Sequence, residues 1–118
     1  GKGTRVELRC PDPACNPYLA FATMLSAGLD GIKNKTDPRE AVTHNIFKLS
    51  RQEREDMGIN SLPGNLKEAI DEMASSEFVK KTVGDHLFNN YLCAKNKEWD
   101  DYKARVHQWE LDTYLSVL

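Results

Sequence analysis

Long apolar runs are missing from these 118 residues. None approaches the roughly 18–20 needed to cross a bilayer, and no basic stretch leads into an apolar one near the start. Neither a membrane span nor a secretory leader is expected. An excess of charge of one sign is missing too. Sixteen Lys and Arg stand against 18 Asp and Glu, a net charge of −2, so the chain lacks the electrostatic footprint of a binder of nucleic acid or of an anionic membrane. Cysteine is scarce: Cys10, Cys15 and Cys93 are odd in number and share no spacing, which argues against a disulfide framework. A zinc site needs a second closely spaced ligand pair, and His44, His86 and His107 are scattered. Buried reduced thiols and a cytoplasmic location are the expectation.

Strand is the element the sequence has least of. One segment, TRVELR (Thr4–Arg9), alternates with a period of two, placing Arg5, Glu7 and Arg9 on one face and Val6 and Leu8 on the other. Pro11 and Pro13 end it by Cys10. Helices make up the remainder. Asn16 followed by Pro17 is a helix start, and the residues from Tyr18 to Leu29 are apolar or small on every side, which predicts burial all round. Gly28, Gly31, Lys33 and Lys35 mark that helix's fading end. Residues 36–49 read as an ordered loop. Ser50 with Glu53 has capping-box spacing and opens a short helix closed by Gly58; Asn65 with Glu68 repeats the device ahead of Leu66, Ala69, Ile70 and Met73. Ser76 caps a further turn or two carrying Phe78, Val79 and Val83. The longest helix runs from Asp85 to about His107, with Phe88, Leu92, Lys95, Trp99, Tyr102 and Val106 in one row. The tail, with Trp109, Leu111, Tyr114, Leu115, Val117 and Leu118, is apolar enough to require docking, on its own core or on a neighbouring subunit.

Four to six helices and one strand leave two architectures open: an all-α domain with an extended arm, or part of a larger α+β protein whose other strands lie elsewhere. The Arg–Glu–Arg face is equally double-edged. It fits an exposed sheet surface, where cross-strand ion pairs contribute about 0.2–1 kcal/mol. It also fits the lining of a polar cavity, where a carboxylate ligates a hard divalent cation and guanidiniums grip phosphate or carboxylate oxygens bidentately. Lys2 adds a cation close by.

The run KGTRVELRCPDPACNPYLAFATMLSAGLDGIKNK resembles the C-terminal quarter of type I glutamine synthetases, in which an R-[IV]-E-x-R strand leads into D-P-x-x-N-P-Y and A-G-L-D-G-I-K-N-K. The similarity continues through NIFKLS, LPGNLKEAIDE, GDHLFNNYLCAKNKEWDDY and HQWELDTYL, and so spans essentially the whole chain. It implies an α+β fold: a predominantly helical C-terminal portion of the catalytic domain over residues 1–118, an incomplete domain. One strand, about 4–10, would belong to an antiparallel active-site barrel, and residues 109–118 would form an oligomerisation tail.

It also implies an ATP-dependent ligase joining L-glutamate and ammonia, inactive as an isolated piece. Glu7 would be a ligand of Mg²⁺ or Mn²⁺ facing the nucleotide phosphates. Arg9 would be catalytic, contacting glutamate and the phosphoryl group in transfer, while Lys2 and Arg5 would lie at the nucleotide. Trp109, Leu111, Tyr114 and Leu115 would take part in ring–ring contacts of a dodecamer. Adenylylated relatives carry a tyrosine where this chain has Phe47, so that modification is expected to be absent. The family often reads V-H-P-W-E where this chain has Gln108 between His107 and Trp109. The competing reading, from another class, is a non-catalytic helical module that oligomerises through Trp109–Leu118.

Overall fold

The computed structural model describes residues 1–118 except Arg39, His44 and Leu118; among these, His44 of the scattered histidines and Leu118 of the apolar tail therefore lie outside the described residues. Helix starts are set by short-range chemistry. The Asn16 side chain accepts the backbone N–H groups of Tyr18 and Leu19 at 3.0 and 3.3 Å and opens α1, Pro17–Asn34. Within the loop that follows, Asn45 caps a 3₁₀ turn, Ile46–Lys48, by accepting the Phe47 N–H at 3.1 Å. Ser50 and Glu53 form the anticipated capping box: Ser50 N–H donates to Glu53 Oε2 at 2.7 Å and Glu53 N–H donates to Ser50 Oγ at 3.2 Å, starting α2, Arg51–Asp56. Gly58, at φ 64°, closes α2 with the Ile59 N–H reaching back to the Arg54 carbonyl at 2.8 Å. Asn65 accepts the Glu68 N–H at 3.0 Å ahead of α3, Leu66–Ser75, and Ser76 Oγ accepts that of Val79 at 3.2 Å ahead of α4, Glu77–Val83. The chain then turns at Gly84 into α5, Asp85–Lys103, and ends in α6, Gln108–Tyr114.

The Ser50 hydroxyl and backbone N–H hold the Glu53 carboxyl below its ordinary pKa. A depressed folded value means that the contribution of the capping box is present above the unfolded pKa and lost as pH falls through the folded one. Amide exchange across Arg51–Asp56 should therefore quicken as pH drops from about 4 downward, after correction for intrinsic rates. Protection unchanged down to pH 2 would remove the carboxylate from the cap. Gly84, at φ 82° and ψ 151°, occupies backbone space that is essentially glycine's own. No atom outside its immediate neighbours lies within 4 Å of where a Cβ would stand, so Gly84→Ala should cost about 1–3 kcal/mol through backbone strain alone, measurable by chemical denaturation.

Helices α3 and α4 pack on α5 and on each other, and α1 packs on α4. Among the described residues only Ile70 and Phe88, at 4% and 5% exposure, are buried. The row expected on one long helix splits: Phe88 is buried, Leu92, Lys95 and Trp99 are half-buried, Tyr102 is exposed, and Val106, also exposed, lies beyond the end of α5. The radius of gyration is 18.9 Å, against about 13–14 Å for a compact domain of this length.

Several expectations are corrected here. Helix α1 is not buried all round: Leu19, Ala20, Thr23 and Met24 are half-buried, but Tyr18, Phe21, Leu25, Leu29 and Ile32 are 57–83% exposed. The helix does end within the span marked by Gly28, Gly31, Lys33 and Lys35, at the last of these. It runs on to Asn34, where Lys35 takes the left-handed conformation at φ 52° and the Thr36 N–H closes on the Gly31 carbonyl at 2.9 Å. The last long helix stops at Lys103 rather than His107, because the Glu110 carboxylate accepts the His107 N–H at 2.7 Å and starts a new helix there. The three cysteines are free thiols, as expected, but exposed rather than buried. The strand expected over residues 4–10 is not among these corrections: no strand is found among the described residues, and a ladder needs a neighbouring strand to pair with.

Candidate functional site

Residues 1–4 form a turn in which the Thr4 N–H donates to the Gly1 carbonyl at 3.1 Å, and Lys2 sits on that turn. The chain then brings Arg5, Glu7 and Arg9 to one side. Arg9 Nε donates to Glu7 Oε1 at 2.6 Å, Arg5 Nη2 lies 3.7 Å from Glu7 Oε2, and Arg5 Nη1 donates weakly to the Gly3 carbonyl at 3.4 Å. The two ion pairs join residues two apart in sequence, the spacing that puts Arg5, Glu7 and Arg9 on one side in the reading by a period of two. Both guanidiniums converge on one carboxylate, and the cluster carries one net positive charge, or two with Lys2.

The three side chains are exposed or nearly so. Exposed ion pairs contribute about 0–1 kcal/mol, too little to be the reason for an Arg–Glu–Arg arrangement. Guanidiniums held this weakly can exchange their carboxylate for phosphate or substrate oxygens. Glu7 is a hard oxygen donor of the kind Mg²⁺ and Mn²⁺ take, yet among the described residues no group of three or more His, Cys, Asp or Glu side chains comes together. The donor type fits a divalent metal, and these residues supply at most one of its ligands. Phe47 stands fully exposed, at 100%, on the 3₁₀ turn; with no hydroxyl it offers nothing to adenylylate.

One feature escaped the reading of the sequence. The loop directly after Arg9 runs along an apolar groove of about 320 Å³, with Pro11 and Cys15 facing Leu19 and Met24 of α1, Val79 of α4 and Leu87 of α5. The apolar spacing of each helix was visible, but not that the loop would share their groove. Among the described residues no helix is long and apolar enough to cross a membrane.

The Arg–Glu–Arg face thus leads through a loop with two prolines into the Asn16-capped helix α1. The model of the glutamine synthetase catalytic domain matches residues 1–114, and the chain belongs to that family. The glutamine synthetase of Methanosarcina mazei is 69% identical over 118 residues, covering all of this chain and 26% of the relative. That of Clostridium saccharobutylicum is 55% identical over 116 residues, 98% of this chain and 26% of the relative. That of Methanocaldococcus jannaschii is 52% identical over 115 residues, 98% of this chain and 25% of the relative. The chain thus spans about a quarter of the length of the curated relatives it matches.

Proposed function

We propose that these residues are the C-terminal portion of the catalytic domain of a cytoplasmic, ATP-dependent ligase that forms L-glutamine from L-glutamate and ammonia. In that reaction the γ-phosphoryl group of ATP passes to the γ-carboxylate of glutamate, releasing ADP; ammonia then attacks the activated carbonyl carbon and phosphate leaves. The convergence of Arg5 and Arg9 on Glu7, in a chain that matches the family model over residues 1–114, supports the reading most directly.

Each residue has a task suited to its chemistry. Glu7 serves as one ligand of a bound Mg²⁺ or Mn²⁺, its other ligands coming from outside these residues. When bound, that ion supplies positive charge against the nucleotide phosphates. Arg9 holds glutamate and places a guanidinium, planar and permanently charged, against the phosphoryl oxygens in transfer. Arg5 and Lys2 hold the nucleotide. Residues 4–10 form one strand of an antiparallel barrel, whose other strands complete the ladder missing here. The tail residues Trp109, Leu111, Tyr114 and Leu115, all 40–68% exposed, dock between two stacked rings of a dodecamer.

The direct test is glutamine formation from glutamate, ammonia and ATP by the full-length polypeptide, with the isolated 118-residue chain as comparison. Turnover by the full-length protein and none by the isolated chain is the expected pair of results. Turnover by the isolated chain would show that the site is complete without the rest. Removal of residues 109–118 from the full-length protein should reduce the assembly from twelve subunits to six, read by light scattering. An unchanged mass would free the tail from that role.

A further inference from the structure

Residues 10–15, CPDPAC, join Arg9 to the cap of α1. Short-range forces leave this connection few ways to move. The rings of Pro11 and Pro13 fix φ near about −65°. Pro11 also biases Cys10, the neighbour of Arg9, toward an extended backbone. Asp12 Oδ1 accepts the Ala14 N–H at 2.7 Å, and the Asp12 carbonyl accepts the Cys15 N–H at 3.0 Å. Aspartate first and proline second are the residues such a turn favours. Asn16 follows at once, taking the Tyr18 and Leu19 N–H groups on its side chain and the Ala20 N–H on its carbonyl at 3.0 Å. Turn and helix start therefore abut. Beyond them α1 packs on α4, and Pro11 and Cys15 share the apolar groove with Leu19, Val79 and Leu87.

We propose that Asp12 is a positioning residue for Arg9, its carboxylate closing the turn through which the helices fix where the arginine stands. The ion pair of Arg9 with Glu7 is exposed and too weak to hold the guanidinium by itself. Its place is set by its backbone, and only Cys10 and Pro11 lie between that backbone and Asp12. The bonds of the turn join residues two and three apart, so they are complete without any other part of the polypeptide. Loss of the carboxylate leaves Pro13 and the Asp12–Cys15 backbone bond in place, which loosens the connection without dissolving it. Looseness of that size matters in a site of this kind, because a shift of about 1 Å can cost about 10²-fold in rate. The effect falls on glutamate rather than on ATP, since Lys2 and Arg5 stand on the other side of Glu7 from the turn.

The inference rests on the reading of Arg9 as the group that holds glutamate, and Arg9→Lys is measured alongside as the control for that reading. In the full-length protein, Asp12→Ala should lower kcat/KM for glutamate by about ten- to 100-fold. The glutamate KM should rise and kcat fall, with the KM for ATP unchanged. Asp12→Asn keeps an oxygen that accepts the same bond and should return both constants to those of the parent; Asp12→Ser, a weaker turn former, should fall between. A merely structural role would reduce the active fraction, lowering kcat while the glutamate KM holds, and that result in Asp12→Ala overturns the proposal. So do parent-like constants in Asp12→Ala, or an Asp12→Asn no better than Asp12→Ala, which would assign the effect to charge instead of to the turn. Should Asp12→Ala fail to fold by far-UV circular dichroism, the comparison passes to Asp12→Ser and Asp12→Asn, and equal glutamate KM values for those two overturn it. A glutamate KM raised in Arg9→Lys but not in Asp12→Ala defeats this inference alone; one raised in neither defeats the reading of Arg9 as well.

Discussion

Glu7→Ala in the full-length polypeptide is expected to lower turnover by 100-fold or more and to weaken the affinity for metal–nucleotide, while leaving the melting temperature nearly unchanged. The two halves of that result have different origins. Structurally the Glu7 carboxylate makes only exposed ion pairs with Arg5 and Arg9, and removing such pairs costs at most about 1 kcal/mol. As a metal ligand, the same carboxylate would govern how phosphate charge is neutralised, where loss of a single well-placed group costs about 10²–10³ in rate. Glu7→Gln keeps the size and one carbonyl oxygen, so a partial return of activity at high metal concentration is expected. Steady-state kinetics over a metal titration, with thermal melting alongside, separates the cases. Near-normal turnover in Glu7→Ala would leave the surface-ladder reading standing. Arg9→Lys, which keeps charge but loses the bidentate fork, should depress turnover and raise the glutamate KM together.

The second large effect is on stability. Phe88→Ala is expected to destabilise the packing of α3, α4 and α5 by about 3–5 kcal/mol, the range for truncating a buried phenylalanine. Phe88 and Ile70 are the only buried apolar residues among those described, and a core this small supplies no more than about 3–5 kcal/mol in total. The isolated chain carrying Phe88→Ala should therefore lose its cooperative transition in urea. Phe47→Ala, by contrast, removes a side chain with no buried surface and should shift the midpoint by an amount close to the error of measurement. A cooperative transition of undiminished steepness in Phe88→Ala would mean that the helices are held together elsewhere.

What could be read in advance was whatever is decided within four or five residues. Asn16, Ser50, Asn65 and Ser76 begin helices where their hydroxyl and amide groups can reach the first free N–H groups, and all four do so here. The shared face of Arg5, Glu7 and Arg9 followed from the period of two alone. Helix ends were less legible. Within the span of Gly28, Gly31, Lys33 and Lys35 the residue that closes α1 is the last, Lys35, and His107 begins a helix because a glutamate three residues on takes its N–H. Burial was least legible of all. The spacing of Tyr18, Phe21, Leu25 and Leu29 predicts a covered face, and covering is a property of what lies opposite. The functional meaning of the Arg–Glu–Arg face came from the family motif, not from the alternation, which suits a solvated ladder equally well.

The self-contained caps have a bearing on the order of assembly. Helices α1 to α4 each carry a side-chain cap of their own, and most contacts in the chain join residues close in sequence, the topology that forms fastest, in microseconds to milliseconds. A barrel strand over residues 4–10, as proposed, would be the reverse case: its ladder would wait for strands distant along the polypeptide, and distant pairing meets its loop-closure entropy before it is rewarded. Biosynthesis of such a protein would pass through an interval in which the helices are already wound while the strand that bears Glu7 still hangs free. In that interval the apolar side chains that α1 exposes here, Phe21 and Leu25 among them, would stay open to solvent.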